Sequence, residues 1–189
     1  MITVIFSCFM LLLHFQITEV CRYLIFYKLI SSSIILESLK LGHYHQLTRI
    51  ITSNLFHNSL HHILINLIGF INIGIPLEDF FNSLDKYLYF KILLLIMILS
   101  GVLLVIFNYF LYLITSDITY HSTFSCGFSS VIFGLQFIFY YLMVGDFKTA
   151  LQTVLLNLLV IHLVVPNVST VGHFSGLCSG IITSKLIGL

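Results

Sequence analysis

Residues 92–116 read ILLLIMILSGVLLVIFNYFLYLITS, with no charge between Lys91 and Asp117. As a helix rising 1.5 Å per residue, this stretch is long enough to cross the roughly 30 Å hydrocarbon core of a bilayer. The rest of the chain repeats the pattern. Met1–Thr18, Ile50–Leu77, Ile118–Gly145 and Thr149–Ser184 are also free of Asp, Glu, Lys and Arg. Hydrophobic residues make up 59% and charged residues 8% of the 189 positions, against roughly 45–50% and about 25% in soluble domains. Fifteen charges cannot clothe a water-soluble surface of this size. A net charge of +1 excludes a polyanion-binding protein, so no nucleic acid is expected as a partner. Two prolines and the lack of a low-complexity tract exclude collagen-like or disordered chains. The composition leaves an all-α integral membrane protein in contact with a lipid bilayer.

The last charge-free stretch, 36 residues or about 54 Å as a helix, is too long for one crossing. Pro166 and Asn167 divide it. The reading is then one domain of six spans, at about 2–19, 56–77, 88–114, 128–144, 149–165 and 172–189, with five or seven as the alternatives. Cys21–Lys40 mixes apolar residues with Arg22, Lys28, Glu37 and Lys40, and reads as an amphipathic connection lying in the interface. The first span lacks the basic flank and small-residue cleavage pattern of a signal peptide. Lys86, Lys91, Lys148 and Lys185 fall on the side of the two termini, which the positive-inside rule puts in the cytosol. Without C-x-x-C pairs, the four cysteines are expected as free thiols. Asn167-Val168-Ser169 is a glycosylation sequon too close to the membrane to be expected in use.

Polar side chains at membrane depth are costly, and each is a functional candidate. Span two opens with His57, Asn58, Ser59, His61, His62 and Asn66. His62 and Asn66 lie four apart, hence on one helix face with Asn66 about 6 Å deeper. They suit a donor pair aimed into a cavity, hydrogen-bond glue between helices, or, with the neighbouring histidines, zinc ligation. Span four opens Gly127-Phe128-Ser129-Ser130 after a polar segment. Its short helix would leave Ser129 submerged yet reachable by water. Span six opens Gly172-His173, and Gly172, Gly176 and Gly180 form a small-residue ridge that lets a neighbouring helix approach closely.

Spans two, four and six begin on one membrane face, so these residues read as a single site. A serine hydroxyl needs a base within about 3 Å, and histidine is the usual one at neutral pH. Ser129 and His173 supply that pair, with no carboxylate in the spans to complete a triad. Acyl transfer also develops an oxyanion that fixed donors must meet. Asn66, the His62 ring N–H and the Ser129 backbone N–H are the candidates, and Gly127 would let backbone pass close to a substrate. The reaction inferred is serine-type amide hydrolysis within a membrane.

Arg49 before span two, H-x4-H-x3-N at His57, His62 and Asn66, G-x-S-x from Gly127, and G-H-x2-G-x3-G from Gly172 occur in order. In these motifs, which span Arg49 to Ile182, the chain resembles the rhomboid intramembrane serine proteases. Gly127-Phe128-Ser129 and Ile161-His162-Leu163 are similar to the short endoplasmic-reticulum members. The resemblance implies a six-helix rhomboid-like bundle with an interfacial first loop, Ser129 as nucleophile and His173 as its base. It also implies an oxyanion hole at His62 and Asn66, with support from His57, Gly127 and Gly176. Neither cofactor nor metal is implied. The substrates implied are single-pass transmembrane proteins entering sideways between spans two and five. Ser130 stands where the family usually has Gly, either crowding the oxyanion hole or pointing away. Phe133 replaces a frequent Tyr but would still stack on His173. The alternative is a catalytically inactive rhomboid-like protein that binds membrane proteins for quality control or trafficking.

Overall fold

The computed structural model describes residues 1–20, 29–165 and 168–189, the side chains of 16–20 excepted. The first part of the interfacial connection, Cys21–Lys28, and the Pro166–Asn167 break with its sequon asparagine lie outside the described residues. The described chain is helical: α1 Ile2–Val20, α2 Ser32–Leu41, a 3-10 turn Tyr44–Thr48, α3 Arg49–Thr52, α4 Leu60–Leu84, α5 Leu88–Thr115, α6 Ile118–Ser122, α7 Ser129–Val144, α8 Phe147–Val164 and α9 Thr170–Leu186. Three of these, α4, α5 and α8, are long and apolar enough to cross a membrane. Ile2–Phe15 within α1 and Ser129–Val144 are apolar but shorter. The glycines, serines and threonines that fill α9 lower its hydropathy, and they are the residues it uses to pack.

Helix starts follow from local chemistry. Four N–H groups at a helix N-terminus lack intrahelical partners, and short polar side chains satisfy them. Ser59, in extended backbone, accepts from His62 N–H to start α4. Asp146 does the same for Thr149 N–H at α8, and Ser169 for Gly172 N–H at α9. Gly145, at φ +71°, turns the chain between α7 and α8 in the left-handed region that favours glycine.

Helix α7 is the centre of the bundle, packed against α4, α5, α8 and α9. Phe128, Val131, Leu135 and Ile138 are buried in one cluster with Phe70 of α4 and Ile92, Leu93 and Ile96 of α5. Around this cluster, α9 fits into the α5–α7 side and α1 leans on α4.

Helix α4 continues past the charge-free stretch, through Pro76 and on to Leu84, so it contains Glu78 and Asp79. Glu78 is buried because it caps another helix. Its carboxylate accepts from Ile2 N–H at 2.6 Å and Thr3 N–H at 2.8 Å and pairs with the N-terminal amino group. A carboxylate near those orphan amides also meets the positive end of the α1 dipole. Among the described residues Cys8, Cys126 and Cys178 are free thiols.

Candidate functional site

The loop that leads into α7 is pinned from several directions. Ser125 and Ile30 exchange backbone hydrogen bonds at 2.8 and 3.1 Å, Gly127 N–H donates to Ser53 O at 2.9 Å, and Phe128 N–H donates to His57 Nε2 at 3.2 Å. The fully buried Phe128 ring meets Phe70 edge to face, 4.8 Å between centroids. Gly127 itself has φ +113°, and a Cβ there would stand 2.7 Å from His62 Nε2. Both the backbone angle and the space therefore require glycine. The first intrahelical bond of α7 runs from Ile132 N–H to Phe128 O, which leaves Ser129 N–H without a helical acceptor. The Ser129 side chain is half-buried.

Helix α4 brings His62 and Asn66 up to the same loop. His62 Nδ1 donates to Asn58 Oδ1 at 2.8 Å. A neutral ring protonated at Nδ1 presents a bare Nε2 towards Gly127. Asn58 thus takes the ring N–H that the sequence offers as an oxyanion donor. Asn66 keeps its donor. Asn66 Nδ2 is buried without a hydrogen-bond partner among the described residues and lies 3.6 Å from where a Gly127 Cβ would stand. His57 and His62 face each other edge to face at 5.0 Å, while His61 is exposed. Among the described residues no three His, Cys, Asp or Glu side chains come together as metal ligands.

Helix α9 supplies His173 through an unusually close approach to α7. A Cβ on Gly176 would lie 2.0 Å from Ser130 O, and one on Gly180 would lie 2.3 Å from Gly134 O. These two glycines set backbone against backbone. Gly172, the third of the ridge, faces only its own cap, Ser169. The docking buries His173 to 4% exposure and stacks its ring on Phe133, 4.5 Å between centroids and 25° between planes. His162 of α8 meets the same ring edge to face at 5.3 Å. The site is thus brought together from α4, α7 and α9. One contact is missing: the Ser129 hydroxyl makes no hydrogen bond to His173. A cavity of about 30 Å³, bordered by Ser129, Gly127, Ser53, Asn54, Ser100 and Ser169, lies beside the serine. That is room for a water or two among polar groups.

Three residues around the site receive no role from the sequence, although Arg49 and His162 stand in its motifs. Asn54 is buried, donating from Nδ2 to Ile50 O at 3.0 Å and Met97 O at 3.4 Å, and its Oδ1 accepts from Ser130 Oγ at 3.0 Å. The Ser130 hydroxyl is therefore turned to Asn54. Arg49, also buried, donates from Nη1 to Leu29 O at 2.7 Å and from Nε to Gln46 Oε1 at 2.5 Å, fastening the segment before the site. His162, near the end of a span, is marked in the sequence only by the Ile161-His162-Leu163 similarity, which assigns it no role.

Residues 44–188 match the family model described as the Rhomboid domain. The chain is also 28% identical over 148 residues to rhomboid-like protein 14, mitochondrial, of Arabidopsis thaliana. That alignment covers 75% of this chain and 44% of the relative, so the chain spans less than half of the relative's length.

Proposed function

The chain belongs to the rhomboid family, its domain match covering residues 44–188, and on that premise we propose that it is an intramembrane serine endopeptidase. The observation that carries this reading is the backbone contact of α9 on α7, which fixes His173 on Phe133, one turn along α7 from Ser129. In the proposed reaction Ser129 Oγ attacks a substrate carbonyl as His173 Nε2 takes its proton. The oxyanion forms against Asn66 Nδ2 and Ser129 N–H, both without partners among the described residues. His62 joins them as a donor only when its ring is protonated or Asn58 releases Nδ1. His173 passes the proton to the leaving amine, and a water from the adjoining serine-lined cavity hydrolyses the acyl-enzyme. The absent Ser129–His173 bond suits a resting site, since catalytic hydrogen bonds are often long until substrate tightens them.

The multi-pass membrane chain is proposed to cross six times, with α1, α4, α5, α7, α8 and α9 as the spans and cytosolic termini. The substrates proposed are single-pass transmembrane proteins entering between α4 and α8, two helices that are not extensively packed against each other. For compartment, the Gly127-Phe128-Ser129 and Ile161-His162-Leu163 motifs favour the endoplasmic reticulum, whereas the Arabidopsis relative is named as mitochondrial. Fractionation against markers of both membranes separates these.

The test is a fluorophosphonate probe on the detergent-purified protein beside Ser129→Ala and His173→Ala. Labelling at Ser129 that both variants abolish is the expected result. A folded protein that never labels favours the second reading, a rhomboid-like binder of membrane proteins. That reading draws on the absent Ser129–His173 hydrogen bond and the seryl side chain at position 130.

A further inference from the structure

The nitrogen of His173 that does not serve the nucleophile is unaccounted for. To accept the Ser129 proton at Nε2, a neutral His173 must carry its own proton on Nδ1, and that N–H needs an acceptor. Among the described residues His173 Nδ1 is buried without a hydrogen-bond partner. Ser175 Oγ bonds to Gly172 O at 2.7 Å and Ser169 Oγ to Gly172 N–H at 3.0 Å, and neither hydroxyl is hydrogen-bonded to His173 Nδ1. No carboxylate occurs in α7, α8 or α9.

One other buried nitrogen lacks a partner in the same place. His162 Nδ1 lies 2.7 Å from Leu158 O. A carbonyl oxygen only accepts, so this nitrogen carries the proton and the neutral ring has a bare lone pair on Nε2. Among the described residues His162 Nε2 is buried and unpaired. The two rings meet edge to face at 5.3 Å, and the Phe133 ring stacked on His173 confines its orientation. An unmatched donor and an unmatched acceptor thus stand on adjoining rings.

We propose that His162 is a positioning residue for the base, its Nε2 accepting the Nδ1–H of His173 and so holding His173 in the tautomer that faces Ser129. This inference rests on the proteolytic reading. The proposed relay runs from Leu158 O through His162 and His173 to Ser129, its first bond present at 2.7 Å and the other two formed in the working site, and a neutral imidazole takes the place that a carboxylate holds in a triad. During attack the Ser129 proton moves to His173 Nε2, and the imidazolium formed keeps its Nδ1 proton against the His162 lone pair. The same Nε2 proton later leaves with the amine. His162 neither gains nor loses a proton.

The experiment compares fluorophosphonate labelling rates, and kcat and KM on a reconstituted transmembrane substrate, for wild type, His162→Phe and His162→Gln. Phe keeps the ring contact and removes the acceptor, while Gln restores an acceptor near the position of Nε2. The expected result is a labelling rate and kcat lowered by roughly tenfold or more in His162→Phe, the direction in which a wrongly tautomeric base fails. KM and melting temperature should stay near wild type, and His162→Gln should recover most of the loss. Nitrogen NMR of isotope-labelled histidine in the unmodified protein should find His173 protonated at Nδ1. His173 protonated at Nε2 instead, or a His162→Phe protein as fast as wild type, would overturn the assignment, as would a loss in which KM and melting temperature move together and Gln gives no recovery. A wild type that never labels at Ser129 strikes the proteolytic reading first and takes the catalytic use of this contact with it. A labelled wild type indifferent to His162→Phe strikes the contact alone.

Discussion

Helices α8 and α9 bring one histidine each to the same point and are held in opposite ways. Helix α9 buries Gly172, His173, Ser175, Gly176, Leu177, Ser179, Gly180, Thr183 and Ser184. Helix α8 buries only Ala150 and Val154, and Leu155, Leu156, Leu159, Val160, Leu163 and Val164 remain exposed. Lipid tails are as apolar as leucine, so a leucine-rich face gains little from leaving them, whereas small residues let backbones meet and gain close packing. In a membrane, then, the polar-looking helix is the fixed one and the greasy helix is the loose one. For the proposed protease this places the base on the rigid element and its supporting histidine on the wall beside which a substrate helix would enter.

Gly176→Leu is the strongest way to break this comparison. Its side chain would have to displace the Ser130 carbonyl, which is backbone and has nowhere to yield. A loss of ~3 kcal/mol or more is expected, at the upper end of overpacking costs, together with all labelling at Ser129. Thermal unfolding in detergent measures the first, and retained stability would show that the glycine contact does not hold α9. A matched pair sharpens the contrast. Leu177→Ala, at 1% exposure in α9, should cost about 2–5 kcal/mol. Leu159→Ala, on the outer face of α8, should stay within about 0.5 kcal/mol. Equal costs would erase the distinction between the helices.

The smallest effect concerns their caps. The Thr149 hydroxyl, and then the Thr149 N–H, hold the Asp146 carboxyl below the usual carboxylate range. A depressed carboxyl contributes stability above its unfolded pKa, and that contribution is lost as pH falls through the folded value. Acidification should therefore fray the start of α8 slightly and leave α9, whose Ser169 cap does not titrate, unchanged. Hydrogen exchange at Thr149–Leu151, corrected for intrinsic rates, reads the difference. In Asp146→Asn the pH dependence should vanish.

Much of this contrast is legible in the amino-acid sequence alone. Charge-free stretches marked the long helices, four-residue spacing put His62 with Asn66, and the glycine ridge announced the α9 contact. The unread parts have a common cause, a partner distant in sequence. Glu78 closes a charge-free stretch and so looks like a span boundary, yet amides 75 and 76 positions away draw it inside. Asn54 looks like loop polarity until Ser130 and Met97 are brought to it. The His62 N–H seemed free because nothing in the spacing says that Asn58, four residues earlier, would take it.

The Asn54–Ser130 bond has a consequence for how such a chain can change by single steps. Ser130→Gly alone strips the buried Asn54 Oδ1 of the donor it has. Replacing Asn54 first instead frees a hydroxyl that can turn back to a carbonyl of the loop just before α7, although Ile50 O and Met97 O then lose a donor. The two positions therefore behave as one character with a preferred order of substitution. A glycine at position 130 is best tolerated in a background that has already given up its asparagine.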